Sequence, residues 1–153
     1  MKFKVFSIDP GSAQSAFVIW DGTEIIASEI LLNDNLLELI SEYPHKPFPM
    51  VIEQVRSYGM PVGETIFDTV FWSGRFYQAW KGAAYQMPRL KVKQHICHDS
   101  RAKDSNIRQA LIDRFEPELQ PRQRPKRMLK GLVKDQWAAM ALAVTFWDKN
   151  YLK

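Results

Sequence analysis

Apolar and polar positions alternate from Lys2 to Asp9, with Phe3, Val5 and Ser7 on one side and Lys4, Phe6 and Ile8 on the other. β-Branched and aromatic residues dominate, which predicts a largely buried strand. Pro10-Gly11-Ser12 ends it in a turn. Ala16 to Trp20 predicts a second strand, and the hairpin dipeptide Asp21-Gly22 leads into a third over Thr23 to Leu31. Tight connections make these three an antiparallel meander. The period then lengthens. Asn33 can cap a helix running to about Tyr43, with Leu36, Leu37 and Ile40 on one face, and the segment Pro44 to Pro49 breaks it. Met50-Val51-Ile52-Glu53 is a short apolar run closed by one acid, the pattern of a central strand. Gly59 to Gly63 reads as a loop. Glu64 to about Ala84 carries Ile66, Phe67, Val70, Phe71 and Tyr77 at the spacing of a helix face, with Gly74 on that face allowing close packing. Leu90 to Ile96 predicts a strand and Ser105 to Phe115 an amphipathic helix. Pro117 to Pro125 is an extended loop, and Val133 to about Lys149 an alanine-rich last helix. The order βββαβαβαα predicts an α/β fold: a mixed five-stranded sheet, meander plus parallel strands, flanked by helices.

Length and composition narrow the class. The 153 residues, 46% hydrophobic and 25% charged, suit one compact domain spanning 1–153. No stretch approaches the roughly 20 apolar residues that cross a bilayer, so no membrane partner is expected. The opening residues Met1 to Phe6 do not form a signal peptide, and the mature chain is expected to start here. A single cysteine, Cys97, excludes an internal disulfide and fits a reducing compartment, as the cytoplasm is. Without a supporting motif, Cys97 reads as a small apolar filler and not as a nucleophile.

The net charge is +4, which only hints at an anionic partner. Its distribution says more. Between Pro121 and Lys134 stand Arg122, Arg124, Lys126, Arg127, Lys130 and Lys134, with no acid among them. Such a run is either a solvated loop or an arm that neutralises backbone phosphates and releases their counterions. His45, His95 and His98 lack the four-ligand spacing of a zinc site. His98 is a candidate for a DNA contact or for proton transfer.

Three acids occupy chemically suggestive places: Asp9 ends the first strand, Glu53 ends the Met50 strand, and Asp135 opens the last helix. Strand ends are where ligands collect in α/β sheets. If the two strands are neighbours, Asp9 and Glu53 meet, and the helix brings a third carboxylate. Three close carboxylates repel one another unless a cation lies between them. Hard oxygen ligands suit Mg²⁺ or Mn²⁺, and two such ions about 4 Å apart serve phosphodiester hydrolysis. Individually, the same residues read as a turn former, a strand-end surface residue and a helix cap.

Phe6-Ser7-Ile8-Asp9-Pro10-Gly11-Ser12 resembles the opening motif of RuvC-type Holliday junction resolvases. Val51-Ile52-Glu53-Gln54-Val55 resembles their second motif. Val92-Lys93-Gln94 followed by Arg101-Ala102-Lys103 is similar to their basic stretch. Lys134-Asp135-Gln136 with Ala138 to Ala143 resembles their final acidic helix. The four segments occur in the family's order and span nearly the whole chain. The resemblance implies an RNase H-like fold, a homodimer, a divalent metal and paired incisions in branched, four-way DNA. It implies Asp9, Glu53 and Asp135 as metal ligands, and Lys93 and Lys103 as contacts to the cleavage-site phosphate. In this family the loop after the second acid enters the junction, which singles out Arg56 and Tyr58. Tyr58 is either a wedge that stacks on unpaired bases or a loop anchor. Arg101 and the run Arg122, Arg124, Lys126, Arg127 and Lys130 complete the expected DNA-binding set. One departure stands out. The family's last helix carries a further ligand three residues on, where this chain has Ala138, so Asp99 or Asp104 would have to replace it. Asp104, at a helix start, also reads as an N-cap.

The helix bearing Phe67, Phe71, Trp72, Phe76, Tyr77 and Trp80 holds more aromatic surface than one core face needs, as expected of a subunit interface. Two-fold symmetry would match a dimer to a four-way junction. Two other readings stay open: a catalytically weak junction-binding protein on the same fold, motivated by Ala138, and an RNase H-like nuclease for RNA or hybrid duplexes. An actin-like ATPase needs two lobes, for which the chain is too short.

Overall fold

The computed structural model describes residues 3–42 and 48–152. Tyr43, His45 and most of the Pro44 to Pro49 break therefore lie outside the described residues. The elements are β1 (Val5–Asp9), β2 (Gln14–Trp20), β3 (Ile25–Leu32), α1 (Asn33–Glu42), β4 (Met50–Gln54), α2 (Glu64–Ala79), β5 (Ala84–Pro88), α3 (Arg89–Cys97), α4 (Asp104–Phe115) and α5 (Gln136–Asn150). They build a five-stranded sheet in the order β3-β2-β1-β4-β5. The β1–β2 and β2–β3 pairs are antiparallel, which is the expected meander, and β1–β4 and β4–β5 are parallel.

β1 lies at the centre and every one of its residues is buried. Its alternation sorts side chains to two cores. Phe6 and Ile8, with Phe17, Ile19, Met50 and Ile52, pack against Leu36 and Ile40 of α1 and Phe76 of α2. Val5, with Val18, Trp20, Val51 and Met87, packs against α5 and against Ile107, Leu111 and Ile112 of α4. Ser7 belongs to this second face, and its hydroxyl donates to the Ala139 carbonyl of α5 at 2.7 Å. Ten residues of α5 are buried, which explains why its sequence is apolar nearly all round.

The structure corrects the sequence reading in several places. Leu90 to Ile96 is helical, within α3, and the fifth strand is the earlier segment Ala84–Pro88. α2 stops at Ala79, because Trp80 adopts an extended conformation (ψ 123°). α2 also turns a different side to the core than its apolar spacing implies. Thr69, Ser73 and Phe76 are buried, while Phe67 and Phe71 are each 64% exposed. Gly74 meets no neighbouring element, since a Cβ there would find nothing within 4 Å. Asn33 is the first residue of α1, but its side chain serves the turn after β1. It donates to the Gly11 carbonyl and accepts from the Ser15 hydroxyl. Gly11 is needed in that turn, since a Cβ would come within 2.2 Å of the Gln14 carbonyl oxygen. The N-cap of α4 is Lys103, not Asp104, and the Lys103 backbone N–H donates to the Asn106 side chain at 2.8 Å.

No helix among the described residues is long and apolar enough to cross a membrane.

Candidate active site

The parallel register of β1 and β4 runs Phe6–Met50, Ser7–Val51, Ile8–Ile52, so the next residues along, Asp9 and Glu53, emerge side by side at the carboxyl ends of the two strands. Both lie on the face that carries Ser7 and Val51, beneath α5. A cleft of about 360 Å³ opens there, and its lining includes Asp9, Glu53, Arg56, Tyr58, Arg89 and Asp135. The turn pinned by Asn33 fixes the backbone just after Asp9.

Asp9 is 7% exposed. Burial, then a hydrogen bond with Glu53 and the charge of that carboxylate, push its carboxyl well above the ordinary aspartate value. Arg89 opposes this shift and Asp135 adds to it. Two carboxylates set side by side form a site short of positive charge. Their hard oxygens fit a magnesium-class cation. Asp135, the N-cap of α5, is exposed at the rim of the cleft. Among the described residues no three His, Cys, Asp or Glu side chains converge tightly enough to hold a metal. The donor set is thus a buried Asp9 beside a half-buried Glu53, with a third carboxylate at the edge. Ala138 lines the inner end of the site together with Asp9, Glu53 and Arg89, and offers it only a methyl group.

Arg89 escaped the sequence reading. It is the first residue of α3, directly after β5, whose Pro88 pairs in register with Gln54 of β4. The guanidinium is thereby delivered to the end of β4. Its Nε donates to Glu53 Oε1 at 2.7 Å, Nη2 lies 3.5 Å from Asp9 Oδ1, and Nη1 lies 3.5 Å from Asp104 Oδ1. Burial lowers the Arg89 pKa, but the charges of Glu53, Asp9 and Asp104 outweigh this and raise it. Only a correct placement of β5 signals this residue, because the contact depends on strand register and not on spacing.

The other expected site residues fall into groups. Arg56 and Tyr58 share the cleft with the acids. Tyr58 is 47% exposed and takes a left-handed conformation (φ 50°). Lys93 is half-buried on α3, and Lys103 is exposed at the start of α4. Neither lines the two cavities around the acid pair. Arg101 is exposed, Asp99 accepts from its backbone N–H, and Asp99 is not among the cleft residues. His98 caps α3 in the left-handed region. His95 is paired at 2.8 Å with Asp148, which also receives two hydrogen bonds from Arg114.

Arg122, Arg124, Lys126, Arg127 and Lys130 are all exposed on the segment between α4 and α5. Its shape comes from a residue the sequence did not flag. Glu116 is fully buried, and its carboxylate accepts from the backbone N–H groups of Lys126, Arg127 and Leu129. Arg127 is engaged by Glu118. Arg124, Lys130 and Lys134 border a groove with Arg108 and Trp137, where the Arg108 guanidinium lies 4.9 Å from the Trp137 ring centre.

A mixed sheet in the order 3-2-1-4-5 with helices on both faces is the RNase H-like fold. No family model and no curated protein matches the chain. Within that class, the solved structures similar to it include RuvC from Thermus thermophilus, at 15% identity and a TM-score of 0.58, with 95% of each chain covered. T. thermophilus RuvC in complex with Holliday junction substrate aligns at 14% identity and a TM-score of 0.57, covering 93% of this chain and 91% of that one. The protein has the RuvC fold over essentially its full length.

Proposed function

We propose that this protein is a structure-selective DNA endonuclease that resolves Holliday or other branched junctions by divalent-metal-dependent phosphodiester hydrolysis. The observation that carries the reading is the juxtaposition of Asp9 and Glu53 at adjacent strand ends, with Asp135 on the rim of the same cleft. Mg²⁺, or Mn²⁺ in its place, would be held by Asp9 and Glu53 and completed by Asp135. When bound, the metal supplies a water of lowered pKa and counter-charge for the phosphate. The chain's own groups do the rest. Asp9 and Glu53 hold their oxygens in fixed register on the central strands. Tyr58 and Arg56 meet DNA at the cleft mouth, Tyr58 by stacking on an unpaired base. Lys103 and Lys93 approach the phosphates from α4 and α3, with Arg101 beside them. The exposed run from Arg122 to Lys130 binds the backbone of a DNA arm. The exposed aromatic face of α2 pairs two copies, so that two sites address symmetric strands.

A synthetic four-way junction with Mg²⁺ or Mn²⁺ tests this. Paired nicks are expected from the wild type, and junction binding without nicks from Asp9→Asn. Full cleavage by that variant overturns the assignment. A second reading, a junction-binding protein with little catalysis, is favoured by one observation: the third acid stands off from the pair while Arg89 sits on it. Wild-type binding without incision would select it. Incision of a hybrid duplex in preference to the junction would select RNA-directed cleavage.

A further inference from the structure

We propose that Arg89 is a resident counter-ion of the acid pair, one that holds Asp9 and Glu53 before a divalent ion arrives and competes with that ion for them. This rests on the metal-dependent reading above.

A guanidinium carries a permanent charge, so within the cleft it acts as a fixed cation. Arg89 meets both oxygens of Glu53, at 2.7 and 3.5 Å, and Asp9 at 3.5 Å. Its side chain is two-thirds buried, at 32% exposure. Where Asp9, Glu53 and Arg89 meet, the surrounding wall is Val92, Ile107, Ala138, Ala141 and Leu142. None of these side chains offers the carboxylates a hydrogen bond, so on this wall Arg89 alone supplies positive charge. Its backbone is anchored by the β4–β5 register, not by a loop. An acid pair without such a partner would be held apart by its own repulsion.

The same guanidinium reaches a third acid. Asp104 is 79% exposed at the first turn of α4, and its carboxylate lies 3.5 Å from Nη1. Arg89 therefore has somewhere to go. In the structure it spans Glu53, Asp9 and Asp104 at once. With a divalent ion on the pair, it would keep Asp104 and release the other two. Asp104 then acts on the metal through Arg89 and is a positioning residue, not a ligand.

The two possible roles of Arg89 differ in sign. A competitor weakens metal binding, so its removal strengthens it. A purely structural clip preorganises the carboxylates, so its removal weakens binding or leaves it unchanged. Mn²⁺ binding to the purified protein, followed by electron paramagnetic resonance of the free ion, separates them. Urea unfolding checks that each variant folds. Arg89→Met is expected to bind Mn²⁺ at least tenfold more tightly than the wild type. Arg89→Lys, which keeps the charge, is expected to stay within about threefold. Asp104→Asn is expected to weaken binding about threefold or more, and to lose that effect in the Arg89→Met background. Unchanged or weaker binding by Arg89→Met overturns the proposal. So does an Asp104→Asn effect of equal size in both backgrounds, since Asp104 would then act on the ion directly. If Arg89→Met does not fold, Arg89→Gln takes its place as the background, and Asp104→Asn alone can still overturn the proposal: unchanged affinity does so, because that side chain is exposed. If the wild type binds no Mn²⁺ in an Asp9-dependent way, the metal-dependent reading itself fails. If it does and Arg89→Met gains nothing, only the role of Arg89 fails.

Discussion

Replacing Glu116 by Gln tests how the basic segment between α4 and α5 is held. The Glu116 carboxylate is fully buried; one oxygen accepts from Lys126 N–H at 2.8 Å and Arg127 N–H at 3.0 Å, the other from Leu129 N–H at 3.0 Å. Glutamine keeps one acceptor oxygen but sets an NH₂ against the Leu129 N–H, donor facing donor. A hydrogen bond to a charged group contributes about 1.5–3 kcal/mol, and a buried donor left unmatched costs about 1–3 kcal/mol. Glu116→Gln should therefore destabilise the fold by about 2–3 kcal/mol, measured as the difference in urea unfolding free energy at neutral pH. The cost should depend on pH. Burial pushes the Glu116 carboxyl up, but the three backbone hydrogen bonds outweigh it and hold the group below its ordinary value of 4.5. A depressed carboxyl contributes stability that is fully present above the unfolded pKa and lost as pH falls through the folded one. The gap between wild type and variant should thus be constant above about pH 5.5, where the unfolded side chain is also ionised, and close as pH drops below about 4.5. A gap under about 0.5 kcal/mol, or one unchanged through the acid range, refutes the claim that the ionised carboxylate organises this segment.

Other outcomes follow from the same structure. Replacing both Arg124 and Lys130 by Gln should reduce the slope of log binding constant against log salt by about 0.9 for each phosphate that is no longer neutralised; an unchanged slope would remove these residues from the DNA surface. Phe71→Asp on the exposed face of α2 should shift the protein from dimer to monomer in light scattering while its circular dichroism stays that of the folded chain, and a monomeric wild type would dismiss that face as the interface. Gly22→Ala should cost more than about 1 kcal/mol in thermal unfolding. Gly22 has a φ of +92°, and a Cβ there would stand 2.3 Å from the Trp147 ring.

The central part of this fold was legible because β1 and the start of β4 are buried on both sides, so their sequences are apolar until an acid interrupts each near its carboxyl end. Burial and chemistry coincide at Asp9 and Glu53, and the sequence displays both. The β5–α3 region failed for a physical reason. Leu90, Val92 and Ile96 alternate with Lys91, Lys93 and His95 at a strand's period, yet of α3 only Val92 is buried. The true edge strand, Ala84–Pro88, exposes Tyr85 and Gln86 consecutively and so shows no alternation. Its misplacement hid Arg89. Glu116 was invisible for a related reason: its partners are backbone groups, which leave no mark on side-chain pattern. The apolar stripe of α2 was seen, but not that Phe67 and Phe71 stand clear of the core, since periodicity shows that a face is apolar without showing what covers it.

The pairing of β1 with β4 joins the start of the chain to its middle, and α5 closes the same face from the far end. A chain still emerging from the ribosome can complete the meander, but it cannot bring the two acids under a roof until α5 has been made. Loss of the last segment would therefore strip the central strands of cover and leave the cleft without Asp135 in a single stroke. The cover over the central strands and the third carboxylate of the cleft thus come from one stretch of chain, so packing and site are completed together.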